Sequence, residues 1–222
     1  FLLVAAALAL VPYGLAYALW PLISFVPFAI TVRAIAGRPF GWVLALGFPV
    51  VLANTLVGQN GFLTAALVGA TLYLMPTRPV LAGLCLGLLS YKPQYGVLFP
   101  LVLIAAAQWR TFASAAATVA LLFVVSSAVF GIEAWQQWLH WLPMASQAFL
   151  TEGRVSWGRM QSLFVTVRYF GGPEQLAWIC QYALTAAVAV TLIVLWRSQQ
   201  RYELKAAALA TGALLATPYL FL

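Results

Sequence analysis

The residues best suited to chemistry in this sequence are Lys92-Pro93-Gln94, set into a long apolar stretch. Pro93 supplies no backbone N–H and biases Lys92 away from helical geometry, which predicts a break between two helices with a cation at its tip. The residues from Pro79 to Tyr91 would form about 20 Å of helix, so Lys92 is expected below the membrane surface. A cation at that depth is typical of an anion-binding site, here for a phosphate, and an interfacial anchor is the open alternative.

A second break is predicted at 58–61, Gly-Gln-Asn-Gly. Glycines permit a sharp turn, and the amides of Gln59 and Asn60 suit sugar hydroxyls, although a plain helix–helix turn explains the pattern too. Arg159 and Arg168 fall in a predicted outer loop, where they could contact lipid phosphate or be solvated. The two cysteines and one histidine lack metal-ligand spacing, and the chain has no acidic cluster, so we expect neither a metal nor a cofactor.

Composition identifies the surroundings of these residues as a membrane. Hydrophobic residues make up 64% of the chain and charged residues 7%, against about 25% charged in soluble domains. The net charge of +7 is interpreted as a topology signal, and no nucleic-acid partner is expected. The predicted fold is all-α: a polytopic transmembrane bundle of about eight spanning helices plus an interfacial helix, in a fragment of a longer protein truncated at both ends.

Proline, glycine and charged residues divide the chain into apolar segments. The first two segments have an alternative, in which residues 1–32 form a helix kinked at Pro12 and then a short helix after Pro21. The predicted segments are 1–11, 14–32, 40–57, 61–75, 79–91, 94–109, 112–131, 176–196 and 205–222. Gly83 and Gly87 have the Gly-x-x-x-Gly spacing typical of close helix packing.

Basic residues predict the orientation of these segments, because they fall at alternate junctions. They are Arg33, Arg38, Arg78, Arg110, Arg197, Arg201 and Lys205, and their face is expected to be cytoplasmic. The breaks at 58–60 and 91–94 then face outward, together with 132–175. Trp135, Trp138 and Trp141 in that stretch predict an interfacial helix, followed by a loop after Pro143. We expect a single integral membrane domain over 1–222.

Residues 54–105, "NTLVGQNGFLTAALVGATLYLMPTRPVLAGLCLGLLSYKPQYGVLFPLVLIA", resemble the core of glycosyltransferase family 87. The shared pattern is a Gly-Gln-Asn turn, a helix, a basic turn, an "AGLxLGL" helix and Lys-Pro-Gln. It extends more loosely through the Trp-rich region, "MQSLF" and "TPY". The family is similar to the polyprenol-phosphate-mannose-dependent mannosyltransferases of the GT-C fold.

The resemblance implies a hexosyltransferase of the bacterial inner (plasma) membrane, active at the periplasmic or extracellular face. It would move mannose from a polyprenyl-phosphate-linked donor to a lipid or glycan acceptor, with membrane lipids as further partners. By the same resemblance, Lys92 would hold the carrier phosphate, and Gln59, Asn60 and Gln94 would line the sugar or phosphate site.

One departure from the family pattern concerns the catalytic base. The family's base is an Asp in the first outer loop, and this sequence has no Asp. Glu133 and Glu152 are on the expected side but at no family position, so we expect the base to lie in a missing N-terminal part. A multi-pass transporter or lipid flippase is the main alternative, since it also needs intramembrane breaks and a buried cation. A scaffold subunit is a third interpretation, under which Lys92 and Gln94 would be replaceable.

Overall fold

The computed structural model describes residues 2–148 and 160–218, which fold into α-helices with no β-strand among them. The helices are α1 (Leu2–Leu8), α2 (Tyr13–Ala36), α3 (Phe40–Gly47), α4 (Pro49–Val57), α5 (Gly61–Leu74), α6 (Pro79–Leu88), α7 (Pro93–Gly96), α8 (Leu98–Ala105), α9 (Trp109–Phe130), α10 (Glu133–Ser146), α11 (Leu163–Tyr169), α12 (Glu174–Arg197) and α13 (Tyr202–Leu215). A 3₁₀ turn, Leu89–Tyr91, follows α6. The prediction of an all-α chain is therefore confirmed.

Proline and glycine set many of the helix ends, as the sequence predicts. Pro49 and Pro79 stand at the first positions of α4 and α6, where the missing N–H costs nothing. The single kinked helix through Pro12 is not observed, because α1 ends at Leu8 and α2 continues through Pro21 and Pro27.

Three of the described helices, α2, α9 and α12, are long and apolar enough to span a membrane. Helices α3 and α4, bent by 45° at Phe48, would make a fourth span if they cross together. The remaining apolar helices, over 61–74, 79–91 and 93–105, are shorter. Length alone thus supports three or four of the roughly eight predicted spans, and the larger number stays a prediction.

The chain packs as two compact units, which we call the first unit (1–92 and 109–122) and the second unit (93–108 and 123–222). Helix α9 contributes its N-terminal part to the first unit and its C-terminal part to the second. The expectation of a single integral membrane domain stays a prediction.

In the first unit, α5 packs against α2 and α6, and α3 packs against α2. Phe62 of α5 lies between Phe25 and Phe28 of α2, with ring centroids 5.3 and 5.2 Å away. Gly83 and Gly87 of α6 lie so close to α9 that a β-carbon on either would collide with it. The close packing predicted from the Gly-x-x-x-Gly spacing is therefore observed.

In the second unit, α12 packs against α8, α11 and α13. Gln181 of α12 is 1% exposed, and its side chain hydrogen-bonds to α11 and to α13. Gln181 Oε1 accepts from the Phe164 N–H at 3.2 Å, and Gln181 Nε2 donates to the Leu215 carbonyl at 3.0 Å. Ser162 caps α11 through the Val165 N–H and donates its hydroxyl to the Pro218 carbonyl at 2.5 Å.

Two details of the stretch 132–175 differ from the prediction. Helix α10 forms as expected, but it continues through Pro143 to Ser146. Helix α11 lies where a loop was predicted, because Ser162 supplies a side-chain cap to a run of apolar residues. Exposed Trp138 and Trp141 are compatible with an interfacial position, which stays a prediction.

Candidate functional site

The predicted turn at 58–61 is present and is held by a side chain that the sequence reasoning overlooked. Gly58 ends α4 in the left-handed conformation, with φ +66°. Asn54 Nδ2 donates to the Gln59 carbonyl at 3.1 Å, and Asn54 Oδ1 accepts from the Gly61 N–H at 3.1 Å. The carboxamide thus bridges both sides of the turn. The available signal was an Asn four residues before the Gly, since Asn often hydrogen-bonds nearby backbone.

Hydroxyl groups join this turn to the break that contains Lys92. Thr64 Oγ1 donates to the Asn60 carbonyl at 3.0 Å and lies 2.7 Å from the Tyr91 hydroxyl. The Tyr91 hydroxyl is also 3.4 Å from the same Asn60 carbonyl. Because Tyr91 immediately precedes Lys92, the first unit brings its two polar breaks to one end of α5. The sequence predicted both breaks on the same face, but it did not predict the contacts of Thr64 and Tyr91 between them.

Asn60 has a buried side-chain oxygen that does not cap α5. Asn60 stands at the N-cap position but makes no side-chain cap hydrogen bond. Its Oδ1 atom is buried and has no hydrogen-bond partner among the described residues. A buried polar atom without a partner costs about 1–3 kcal/mol, so a donor from a ligand, such as a sugar hydroxyl, would relieve that cost. The neighbouring Gln59 is exposed.

Lys92 occupies the predicted break. Its backbone adopts φ −130° and ψ 72°, outside the helical region, and its N–H donates to the Leu89 carbonyl at 2.9 Å. The residue is partly buried and lies outside the long apolar helices. Burial disfavours the charged ammonium and lowers the pKa of Lys92 below the ordinary lysine value.

The charge of the first unit makes an anionic ligand suitable here. This unit contains no Asp or Glu, since all four glutamates of the chain belong to the second unit. Its cationic side chains are Arg33, Arg38, Arg78, Lys92 and Arg110. The unit therefore carries positive charge that none of its own side chains can neutralise, and an anion near Lys92 would be favoured.

Two further predicted site residues, Gln94 and Arg168, belong to the second unit. Gln94 lies in α7. Arg168 stands in the last turn of α11, where its Nη1 donates to the Gly172 carbonyl at 3.1 Å, a contact that fits a structural role. Arg159 and Glu152 lie outside the described residues.

No three His, Cys, Asp or Glu side chains within 2–148 and 160–218 are grouped so that they could hold a metal ion. The expectation of a reaction without metal or cofactor stays a prediction. The chemistry that the site offers is electrostatic, from the Lys92 ammonium, and hydrogen bonding, from the Gln59 and Asn60 amides.

Comparison with known proteins places the chain in a family. The family model of glycosyltransferase family 87 matches residues 1–218. The chain has no significant match among curated proteins, and none among solved structures. Since the match covers nearly the whole chain and the structure contains apolar helices of membrane-spanning length, the protein belongs to glycosyltransferase family 87 and is a membrane glycosyltransferase.

Proposed function

We propose that this protein is a hexosyltransferase that moves mannose from a polyprenyl-phosphate carrier to a lipid or glycan acceptor. The proposed location is the bacterial inner (plasma) membrane, with the reaction at the periplasmic or extracellular face. The proposed architecture is a GT-C-like bundle of about eight spans, in which the shorter apolar helices also cross. Membrane lipids surround it, and no metal or cofactor takes part.

The observation that carries this proposal is the hydroxyl junction at one end of α5. The Thr64 and Tyr91 hydroxyls lie next to the Asn60 carbonyl, and Tyr91 immediately precedes Lys92, which supports placing the amide-lined turn and the cation in one site. A sugar phosphate presents hydroxyls and an anionic group next to each other. The Asn60 Oδ1 atom, which has no partner among the described residues, could accept from a sugar hydroxyl, and the Lys92 ammonium could bind the phosphate, so both suit such a ligand better than a neutral lipid.

The proposed roles follow from that chemistry. The Lys92 ammonium binds the carrier phosphate and stabilises the negative charge that grows on it as the bond from sugar C1 to phosphate oxygen breaks. Asn60 and Gln59 orient the sugar through hydroxyl hydrogen bonds or assist at the phosphate, and the role predicted for Gln94 stays a prediction. The acceptor hydroxyl forms the new bond to C1 and gives its proton to a base. We assign no residue as that base, because the aspartate expected from the family pattern is absent from this sequence.

The test compares wild type, Lys92→Ala and Lys92→Arg in the full-length protein, purified into nanodiscs, for binding and turnover of polyprenyl-phosphate mannose. A hydrogen bond to a charged group contributes about 1.5–3 kcal/mol, so Lys92→Ala should weaken donor binding by about 10- to 150-fold. Lys92→Arg should retain part of the binding. Arg201→Ala is the control, because it removes an exposed cation that is paired with Glu203.

Transfer by wild type, with loss of binding and turnover in Lys92→Ala alone, would support the assignment. Equal donor binding and turnover by Lys92→Ala and Arg201→Ala would refute the role of Lys92 and would favour the interpretation of Lys92 as an interfacial anchor. If wild type transfers the sugar only from a nucleotide-linked donor, the polyprenyl carrier is wrong while the glycosyltransferase family stands.

A further inference from the structure

The C-terminal end of α2 carries a second cationic site, formed by Arg33 and Trp42. The Arg33 guanidinium carbon lies over the Trp42 ring, 5.7 Å from its centroid. An arginine over an indole is held by a cation–π interaction worth about 0.5–1 kcal/mol at exposed sites. Because this contact already limits the rotamers of Arg33, less side-chain conformational entropy is lost when the guanidinium binds an oxyanion.

This site is distinct from the one around Lys92, because the two lie at opposite ends of the α2–α5 pair. Phe62, at the start of α5, contacts Phe25 and Phe28, whereas Gly69, further along α5, lies against Thr31 and Ile35. The two helices therefore run in the same direction. Arg33, between Thr31 and Ile35, therefore lies level with Gly69, about 12 Å of helix away from the N-terminal end of α5.

Close packing between α2 and α3 positions Arg33 and Trp42 relative to each other. Gly37 reverses the chain after α2 with φ +78°, a conformation that favours glycine. Gly41 of α3 lies so close to the Arg33 backbone that any β-carbon there would collide with it. The α2–α3 connection thus holds Trp42 beneath Arg33 with little freedom to rearrange.

The charge of Arg33 is not compensated within its unit. The first unit has no carboxylate, and the buried Arg33 Nε atom has no hydrogen-bond partner in the described part of the chain. Because Arg33 Nε has lost its contact with water and gained no hydrogen bond, the charged guanidinium is poorly stabilised, and binding an anion would stabilise it. The remaining N–H groups of the side chain, which is partly exposed, are the ones that a ligand can reach.

The surroundings favour an amphiphilic anion over a free one. Ile35, Phe40 and Val43 flank the site and are each more than half exposed, and Trp42 is 42% exposed. Acyl chains would cover these side chains while the headgroup reaches the guanidinium. We propose that Arg33 and Trp42 form a binding site for the phosphate of an anionic phospholipid, at the face opposite the glycosyl-transfer site.

The experiment is native mass spectrometry of the full-length protein in detergent, with phosphatidylglycerol or phosphatidylcholine added at equal concentration. Wild type should bind phosphatidylglycerol at least about tenfold more tightly than phosphatidylcholine. Arg33→Gln should remove that preference, Trp42→Leu should weaken it about threefold, and Arg33→Lys should retain part of it. Arg201→Gln, which removes a cation already paired with Glu203, should bind like wild type. Inorganic phosphate is added in a separate series as a competitor.

Each outcome decides the proposal. Selective loss in Arg33→Gln and Trp42→Leu supports it, and if Arg33→Gln fails to fold, Trp42→Leu and Arg33→Lys give the same decision. Equal binding of the two lipids by wild type overturns it, as does an equal loss in Arg33→Gln and Arg201→Gln. Displacement of phosphatidylglycerol by millimolar inorganic phosphate would show a free-anion site instead and would also overturn the lipid assignment.

Discussion

Replacement of Asn54 tests whether one side chain holds the amide-lined turn in shape. Asn54→Ala removes two hydrogen bonds, one to the Gln59 carbonyl and one from the Gly61 N–H. Each contributes about 0.5–1.5 kcal/mol, and partial exposure favours the lower half of that range, so the expected loss of stability is about 1–2 kcal/mol. Asn54→Asp retains the acceptor for Gly61 and loses the donor to Gln59, so its loss should be intermediate.

The assay is thermal unfolding in detergent, combined with the dissociation constant of the lipid-linked donor. A loss of about 1–2 kcal/mol corresponds to a decrease in Tm of about 2–8 °C for a chain of this size. Donor affinity should fall in parallel, because Gln59 and Asn60 lose their fixed positions. Thr55→Val is the matched control, since the Thr55 hydroxyl bonds only within α4, to the Val51 carbonyl. If Asn54→Ala unfolds and binds like Thr55→Val, or if Asn54→Asp is as harmful as Asn54→Ala, the reasoning is refuted.

Three further predictions concern packing, a buried amide and pH. Gly83→Ala should destabilise the protein by about 1–3 kcal/mol, because its β-carbon would meet the α9 backbone. Gly14→Ala, at a position with open space around it, should be neutral or stabilising. Thermal unfolding of both variants checks this, and equal Tm shifts would contradict it. Gln181→Leu should cost about 1–3 kcal/mol by leaving the buried Phe164 N–H and the part-buried Leu215 carbonyl without their partner. Gln175→Leu, at an exposed position on the same helix, should cost little, and similar denaturation midpoints for the two variants would contradict the prediction. Donor binding should be strongest while Lys92 is protonated and should be lost as pH rises through the lowered pKa of Lys92, before an ordinary lysine at about 10.4 would titrate. A Lys92→Arg variant whose binding fell over the same pH range would refute this.

Much of the helix content was predictable because proline, glycine and charged residues interrupt an otherwise apolar chain. The predicted segment 176–196 corresponds to α12 over 174–197, and 40–57 corresponds to α3 and α4. The bend of 45° between α3 and α4 was not predicted. Pro49 signals a helix start as readily as a kink, and the choice depends on packing that no local pattern contains.

The charged and amide residues of the candidate site are recognisable in the sequence, but the contacts that hold them are not. Lys92 stands out because an ammonium is rare among apolar residues, and Gln59 and Asn60 stand out because glycines flank them. Asn54, Thr64 and Tyr91 do not stand out, since each is common in helices and turns. Their contacts join residues 4 to 31 positions apart, and the longest of these, from Tyr91 to Thr64 and Asn60, depend on packing that the sequence pattern does not reveal.

The absence of carboxylates from the first unit also constrains how activity can vary with acidity. Carboxylates and histidine are the side chains that ordinarily titrate between about pH 4 and pH 7, and the first unit has neither. No carboxylate or histidine therefore changes its net charge across that range. The donor's phosphodiester stays ionised over the same range, so a fall in donor binding on the acid side of neutrality would report a titrating group outside the first unit.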